Sequence, residues 1–335
     1  MLSYSILKSI MLCAVLNMSL AKNTQDKSSL PSPYLSFTRN EWCQYRLNMP
    51  SPLTAEEIET LPGQIDEVTA KEIEEIYLPL SRLLSFYVTA TEGLYQATAN
   101  FLGVDEPKVP YIIGVSGSVA VGKSTTSRVL RALLSHWPNH PKVEILGTDG
   151  FLYPNQKLTE RGIFSRKGFP ESYDTGKLLH VLHALKSGAT EIKVPLYSHH
   201  SYDILPNQYQ VIQKPDILIV EGLNILQTHT RSKKIFVSDY FDFTLFVDAD
   251  PTVIKQWYIQ RVLSFWRGPF QKSDSYFNFL TKLTQEEVIK FAEKVWHEIN
   301  ELNLLENIVP YRQRAQLILY KTVDHSVQEV KLRKL

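Results

Sequence analysis

Residues 111–134, YIIGVSGSVAVGKSTTSRVLRALL, decide the fold. The apolar run at their start predicts a buried strand, and the residues from Lys123 onwards predict a helix. Between the two lies G-S-V-A-V-G-K-S, residues 117–124, which matches the pattern G-x-x-x-x-G-K-[ST]. A strand, this loop and a helix in that order predict a phosphate-binding loop (P-loop), and hence a nucleoside triphosphate as ligand.

The residue types of the loop fit that chemistry. Glycine is required where backbone N–H groups converge on an anion or where φ is positive. The helix N-terminus adds its positive dipole end. Lys123 is expected to reach the β- and γ-phosphates of ATP, and Ser124 to ligate Mg²⁺. The predicted nucleotide-binding residues of the loop are Gly117, Ser118, Val119, Ala120, Val121, Gly122, Lys123, Ser124 and Thr125.

Four further apolar runs predict strands, and helical patterns lie between several of them. The runs are VEILGT (143–148), DILIVEG (216–222), DFTLFVD (242–248) and AQLILYK (315–321). Most lack a clean alternation of polar and apolar residues, as expected of strands covered on both faces. The sequence therefore predicts an α/β fold of the P-loop NTPase type: a doubly wound, mostly parallel sheet with helices on both faces.

Residues 54–103 have a helical pattern and are predicted to form an N-terminal helical layer on the core. Capping boxes are predicted at Thr54–Glu57 and Thr69–Glu72, and a third at Thr284–Glu287.

Residues 1–32 are predicted to be an extension or linker, either disordered or the product of a mis-assigned start codon, and residues 33–335 to be the P-loop kinase domain. The first residues resemble a poor signal peptide, but their apolar run is too short to span a bilayer. We favour translation from Met18 and a cytoplasmic enzyme. Two cysteines, Cys13 and Cys43, are too few for a disulfide framework. A net charge of +1 gives no support for a nucleic-acid or membrane partner.

Two carboxylates follow predicted strands, at the edge of the sheet where such folds bind ligands. Asp149 ends VEILGTD, and Glu221 ends DILIVE. An Asp before Gly is also a common turn residue. We predict that Asp149 is the general base toward an attacking hydroxyl and that Glu221, with Ser124, holds the metal.

A transferring phosphoryl group also needs positive charge. Arg261 shares a helix face with Tyr258 and Phe265, although a solvated arginine beside core aromatics has the same spacing. Asn300, Asn303 and Asn307 form a polar stripe that suits a polar organic ligand. On the same helix, the residues predicted to face the core are Val295, Ile299 and Leu302.

Several longer motifs resemble those of bacterial type I pantothenate kinases, over about residues 33–334. They include TDGFLYPN, RKGFPESYD, PLYSHHSYDILP, PDILIVEGLNILQ and WYIQRVLSF. The resemblance implies phosphorylation of pantothenate by ATP, the first step of coenzyme A synthesis, in a cytoplasmic homodimer that coenzyme A inhibits. It also suggests a lid over the acceptor at residues 266–277.

The resemblance implies a role for each matching residue. Asp149 corresponds to the catalytic base, Glu221 to the carboxylate near Mg²⁺ and Arg261 to the arginine on the transferring phosphoryl group. Lys123 belongs to the ATP site, and His325 corresponds to a residue that stacks near adenine. The positions that match the pantothenate pocket are Tyr197, His199, Tyr258 and Asn300, and Arg128 matches a residue tied to coenzyme A inhibition.

Two alternatives remain open from the residues alone. A nucleoside or sugar-phosphate kinase would share the fold, but the tyrosines and asparagines suit a neutral amide chain better. A nucleotide-dependent switch of the GTPase kind would need Asn-Lys-x-Asp, which the sequence lacks.

Overall fold

The computed structural model describes residues 32–47, 50–61, 68–104, 108–139, 141–228 and 235–334. The chain divides into a large unit, residues 36–333, and a small unit, residues 1–35 with Lys334. Apart from Ser32, the predicted extension lies outside the described residues. A domain boundary at residue 32 stays a prediction.

A twisted central sheet and a separate hairpin make up the β-structure. Within the large unit the strand order of the central sheet is β9-β8-β7-β2-β6-β3, and β4 pairs with β5 in the hairpin. The strands are β1 (Tyr34–Thr38), β2 (Tyr111–Gly117), β3 (Val143–Gly147), β4 (Glu191–Ser198), β5 (Asp203–Gln213), β6 (Ile217–Gly222), β7 (Phe243–Ala249), β8 (Leu317–Lys321) and β9 (Val327–Arg333).

Helices precede the first parallel strand and lie between the later ones. They are α1 (Arg39–Cys43), α2 (Ala55–Thr60), α3 (Leu78–Leu102), α4 (Lys123–Ser135), α5 (Asn155–Glu160), α6 (Thr175–Lys186), α7 (Pro251–Arg267) and α8 (Gln285–Val295). Strands β3, β6, β2, β7 and β8 run parallel, and β9 is antiparallel to β8. The predicted α/β fold with a mostly parallel sheet is confirmed; the β4–β5 hairpin and β9 were not predicted.

The parallel register places the carboxyl ends of the strands at one edge of the sheet. Ser116 of β2 pairs with Gly222 of β6, and Gly147 of β3 pairs with Glu221. The phosphate loop, Asp149 and Glu221 therefore meet at that edge. Within the described part of the chain, no helix combines the length and the apolar character that crossing a bilayer requires.

Two of the three predicted capping boxes are confirmed. Thr54 and Thr284 each accept from a backbone N–H three residues on, and Glu57 and Glu287 accept in return. The third is only half formed. Thr69 accepts from the N–H of Glu72, but the Glu72 carboxylate turns into the core, where Oε1 accepts from the N–H of Val327 at 3.0 Å. The long-range partner replaces the local one.

The helix that follows Thr284 contains two π-helical turns, Trp296–Asn300 and Leu304–Ile308. Each π turn holds one more residue than an α turn and so rotates the residues beyond it. As a result Asn303 is 4% exposed, whereas Leu302 is 41% exposed. The prediction that Leu302 faces the core is wrong, because it requires α-helical spacing along the whole helix.

Candidate active site

The phosphate loop joins a fully buried strand, β2, to helix α4. A Cβ at Gly117, where φ is +148°, would collide with the carbonyl oxygen of Val247. Ala120 and Gly122 also have positive φ, 60° and 97°. The left-handed residues curl the loop around a concave face, on which backbone N–H groups can bind an anion.

Lys123, Ser124 and Glu221 lie together at the start of α4. Lys123 Nζ donates to the carbonyl oxygen of Ser118 at 2.6 Å, which holds the ammonium over the loop. Ser124 Oγ donates to Glu221 Oε1 at 3.0 Å. Among the described residues Glu221 Oε2 is buried and has no hydrogen-bond partner. A hydroxyl beside a carboxylate with one unpaired oxygen is a donor set that suits a hard cation such as Mg²⁺.

Asp149 lies in a 3₁₀ turn, Thr148–Phe151, directly after β3. Close packing fixes this turn, because a Cβ at Gly150 would collide with the carbonyl oxygen of Pro195 in the hairpin. The hydroxyl of Tyr173 donates to Asp149 Oδ1 at 3.5 Å. Burial, and then the charge of Asp149, raise the pKa of Tyr173 well above its ordinary value, so its proton stays in place.

Aromatic rings from the hairpin and from the segment after α7 form a box beside Asp149. The ring of Tyr197 lies 5.1 Å from that of His199 and 6.4 Å from that of Tyr202. Tyr202 in turn contacts Tyr276 at 5.1 Å and Phe277 at 4.9 Å. Burial raises the pKa of both Tyr197 and Tyr202. The box therefore offers apolar faces and neutral hydroxyls to a ligand.

His199 opens into the main cavity, but the surrounding protein desolvates its ring. That desolvation lowers the pKa of His199, while the nearby carboxylate of Asp149 opposes the shift. The imidazole is therefore neutral near pH 7 and has one donor and one acceptor for a polar ligand.

Lys167 is a buried cation that the sequence did not reveal. Its Nζ donates to Asn155 Oδ1 at 2.6 Å and to the carbonyl oxygen of Tyr202 at 2.5 Å, and it lies 3.9 Å above the Tyr202 ring. Burial lowers its pKa to about 8. Lys167 thus joins the start of α5 to the hairpin and brings a positive charge close to the aromatic box.

The main cavity has a volume of about 650 Å³ and runs from the phosphate loop to the segment after α7. Its cationic lining residues are Lys123, Arg128, Arg261 and Lys272, and three histidines, His199, His200 and His325, also line it. No carboxylate of the described residues lines it. Such one-sided charge suits a polyanion. Of these residues, Arg261 lies 5.3 Å above the Phe265 ring, and Arg128 Nε donates to the carbonyl oxygen of Leu61 at 2.8 Å.

His325 borders the far end of the cavity. Its ring stacks on Trp257 with centroids 4.2 Å apart and an interplanar angle of 20°. Trp257 Nε1 donates to the carbonyl oxygen of Val323, which ties the β8–β9 turn to α7. The result is a flat aromatic platform beside the phosphate loop. Tyr258, the next residue of α7, has Asn300 as its hydrogen-bond partner.

Two polar contacts join the segment after α7 to the hairpin. His200 Nε2 lies 3.0 Å from Asp274 Oδ2, and the N–H of Tyr276 donates to the carbonyl oxygen of His200 at 3.0 Å. The segment thus packs on the hairpin above the aromatic box, where the sequence suggested a lid.

The structure brings several of the predicted residues together. The phosphate loop, Arg128, His199, Arg261 and His325 line the main cavity. Glu221 bonds to Ser124, and Asp149 lies beside the aromatic box. Asn303 and Asn307 instead build the wall: Asn303 Nδ2 donates to the carbonyl oxygen of Gly168, and Asn307 Nδ2 to Asn303 Oδ1. Reasoning from the sequence missed Lys167, Tyr173, Tyr276 and the stacking partner Trp257.

A phosphate loop, a hydroxyl–carboxylate pair beside it, and an aromatic box next to an aspartate are the features of a P-loop kinase. Residues 112–268 match the model of the Phosphoribulokinase / Uridine kinase family.

Relatives that match this chain over most of its length identify its family within the P-loop kinases. A pantothenate kinase from Coxiella burnetii is 60% identical over 308 residues, which cover 91% of this chain and 97% of the relative. Pantothenate kinases from Parvibaculum lavamentivorans and Brevibacillus brevis are each 50% identical, over 94% and 91% of this chain and 98% of each relative. The chain belongs to the pantothenate kinase family and is an enzyme that uses ATP.

Proposed function

We propose that this enzyme transfers the γ-phosphoryl group of ATP to the terminal hydroxyl of pantothenate, giving 4'-phosphopantothenate and ADP in the first step of coenzyme A biosynthesis. The observation that carries the proposal is the 60% identity to a pantothenate kinase over 91% of the chain. The aromatic box beside Asp149 supports it, because apolar faces and neutral hydroxyls suit a branched, amide-containing alcohol better than a phosphorylated sugar.

In the proposed reaction the hydroxyl oxygen attacks the γ-phosphorus, its proton passes to Asp149, and ADP leaves. Lys123 and Arg261 neutralise the charge on the phosphoryl oxygens, and the phosphate loop holds the β-phosphate. His199, Tyr197, Tyr258 and Asn300 orient the acceptor. Positioning and charge stabilisation together carry most of the catalysis in such transfers.

Mg²⁺ belongs to this proposal as the cofactor, with Ser124 and Glu221 as the residues that would hold it. When bound, Mg²⁺ would neutralise negative charge on the nucleotide phosphates. The unpaired Oε2 of Glu221 supports this assignment. Ser124 and Glu221 also orient each other before any ligand arrives, because their side chains are hydrogen-bonded.

A homodimer in the cytoplasm is also part of the proposal, and it rests on the resemblance to the type I enzymes. The exposed side chains of helix α3 support a protein partner: Leu94, Phe101 and Leu102 are 69%, 88% and 58% exposed. Sedimentation velocity would report the mass, and a monomer at micromolar concentration would contradict the dimer.

Feedback inhibition by coenzyme A, with Arg128 as the regulatory residue, completes the proposal. Arg128 lines the main cavity beside the phosphate loop. We expect Arg128→Ala to raise the coenzyme A concentration for half inhibition by about tenfold, because a charge-assisted contact to a phosphate is lost. The Michaelis constant for pantothenate should change less. Arg131→Ala, an exposed position on the same helix, is the matched control; equal inhibition of the Arg128 variant and the parent would refute the role.

The experiment that tests the function is ADP release from the purified chain with ATP and Mg²⁺, comparing pantothenate with uridine, with and without coenzyme A. Release that depends on pantothenate supports the proposed acceptor, and its suppression by coenzyme A supports the regulation. Release with uridine alone would retain the kinase class and overturn the acceptor.

A further inference from the structure

A lysine lies buried beneath the phosphate loop, on the side away from the cavity. Lys321 is the last residue of β8 and only 5% exposed. Its Nζ donates to the carbonyl oxygen of Val121 at 3.3 Å. A buried ammonium is rare in proteins unless it is paired. We therefore ask how its hydrogen bond to the Val121 carbonyl affects the backbone of the phosphate loop.

The contact fixes the orientation of one peptide unit. The carbonyl oxygen of Val121 and the N–H of Gly122 belong to the same planar trans peptide and point in opposite directions; the described residues contain no cis peptide. Val121 is fully buried, whereas Ala120 and Gly122 line the cavity. Holding the carbonyl toward Lys321 thus turns the N–H of Gly122 toward the anion-binding face of the loop.

A buried carboxylate and an aromatic ring also act on the Lys321 ammonium. The carboxylate of Glu72, which is 5% exposed, accepts from the N–H of Val327 at the start of β9. Burial raises the pKa of Glu72, and the charge of Lys321 opposes that rise, so the two side chains act on each other as an opposite-charge pair. The ammonium also lies 5.6 Å from the ring of Trp257, the platform of His325.

We infer that Lys321 is a positioning residue for nucleotide binding: it preorders the Val121–Gly122 peptide, so the loop presents the Gly122 N–H to a nucleotide polyphosphate before the nucleotide arrives. This deepens the proposed function at the ATP end of the site. It does not depend on which alcohol is the acceptor, because the nucleotide affinity can be measured with no acceptor present.

The test compares two pairs of neutralising substitutions. Lys321→Met with Glu72→Gln removes the lysine without leaving a buried unpaired carboxylate. Arg312→Met with Asp248→Asn removes a partly buried ion pair elsewhere in the sheet, in which Arg312 Nη1 lies 2.8 Å from Asp248 Oδ2. The readouts for each variant are the affinity for ADP by titration calorimetry, the melting temperature, and the Michaelis constants for ATP and pantothenate.

We expect the double variant Lys321→Met, Glu72→Gln (the Lys321 pair) to bind ADP about tenfold more weakly, because a hydrogen bond to a charged group is lost. The Michaelis constant for ATP should rise by a similar factor. The Michaelis constant for pantothenate should stay unchanged. The Arg312 pair should lower the melting temperature but leave the ADP affinity within about twofold.

Unchanged ADP affinity in the Lys321 pair would overturn the inference, and so would an equal loss in the Arg312 pair. If the Lys321 pair does not fold, Lys321→Gln with Glu72→Gln gives the same test, because the glutamine at 321 keeps a polar side chain of similar volume but loses the charge and the reach of the ammonium. A Michaelis constant that rises for ATP but not for pantothenate supports the inference. An unchanged Michaelis constant for ATP rejects it.

Discussion

Replacing Asp149 by Asn is expected to lower kcat by about 10²–10⁴-fold while the affinity for ATP survives. The substitution keeps the shape of the side chain but removes the group that takes the proton of the acceptor hydroxyl. Asp149 does not line the main cavity. The packing of Gly150 against Pro195 fixes the turn independently of the carboxylate. Single-turnover measurement with saturating ATP and pantothenate isolates the chemical step.

Asp174→Asn is the matched control for this experiment. Asp174 caps α6, where its side chain accepts from the N–H of Lys177, and an asparagine caps equally well. Asp174 directly follows Tyr173, whose hydroxyl donates to Asp149. The control therefore tests whether any loss of carboxylate charge in this region lowers turnover. Near-parental kcat in the Asp149 variant would remove Asp149 from the role of base.

Replacing Arg261 by Ala is expected to lower kcat by about 10³-fold or more, the range found when an arginine on a transferring phosphoryl group is removed. Arg261 is half-buried on α7, lines the main cavity, and is held over the ring of Phe265. Because its charge matters most when the phosphoryl group lies between donor and acceptor, kcat should fall more than the affinity for ATP. Arg261→Lys should recover part of the loss, since it keeps the charge but not the planar pair of donors.

Arg267→Ala is the control on the same helix. Arg267 is exposed in the last turn of α7 and donates to Gln285 Oε1, away from the cavity. A similar loss of kcat in both variants would mean that the helix, rather than the guanidinium of Arg261, is what the transfer needs. A parental kcat in Arg261→Ala would reject the transition-state role altogether.

The parts of the site that could be predicted are those set by local sequence. The strand, loop and helix of residues 111–134 form as the motif requires, because left-handed glycines and a helix start are local properties. Asp149 and Glu221 could be placed together from the sequence, because parallel strands end at a common edge. Their predicted roles remain proposals.

The parts that could not be predicted depend on contacts between residues far apart in the chain. Glu72 abandons its capping box for the N–H of Val327, 255 positions away. Lys167 looks like an ordinary surface lysine until the hairpin covers it. The spacing of apolar residues does not reveal π-helical turns. The sequence therefore predicts that Leu302 faces the core, whereas in the structure Asn303 is buried and Leu302 is exposed.

The phosphate loop and the aromatic box differ in the structure that supports them. The phosphate loop is continuous with the central sheet, whereas the aromatic box is built from the hairpin and the segment after α7. These two segments meet through ring contacts of Tyr202, the contact between His200 and Asp274, and a backbone hydrogen bond. Acceptor binding that draws these two segments together would remove apolar surface from water, and nucleotide binding to a preformed cradle would remove less. The heat capacity change should then be more negative for pantothenate than for ADP, which calorimetric titrations at several temperatures measure. Equal values would mean that the enzyme is as rigid around its acceptor as around its phosphates.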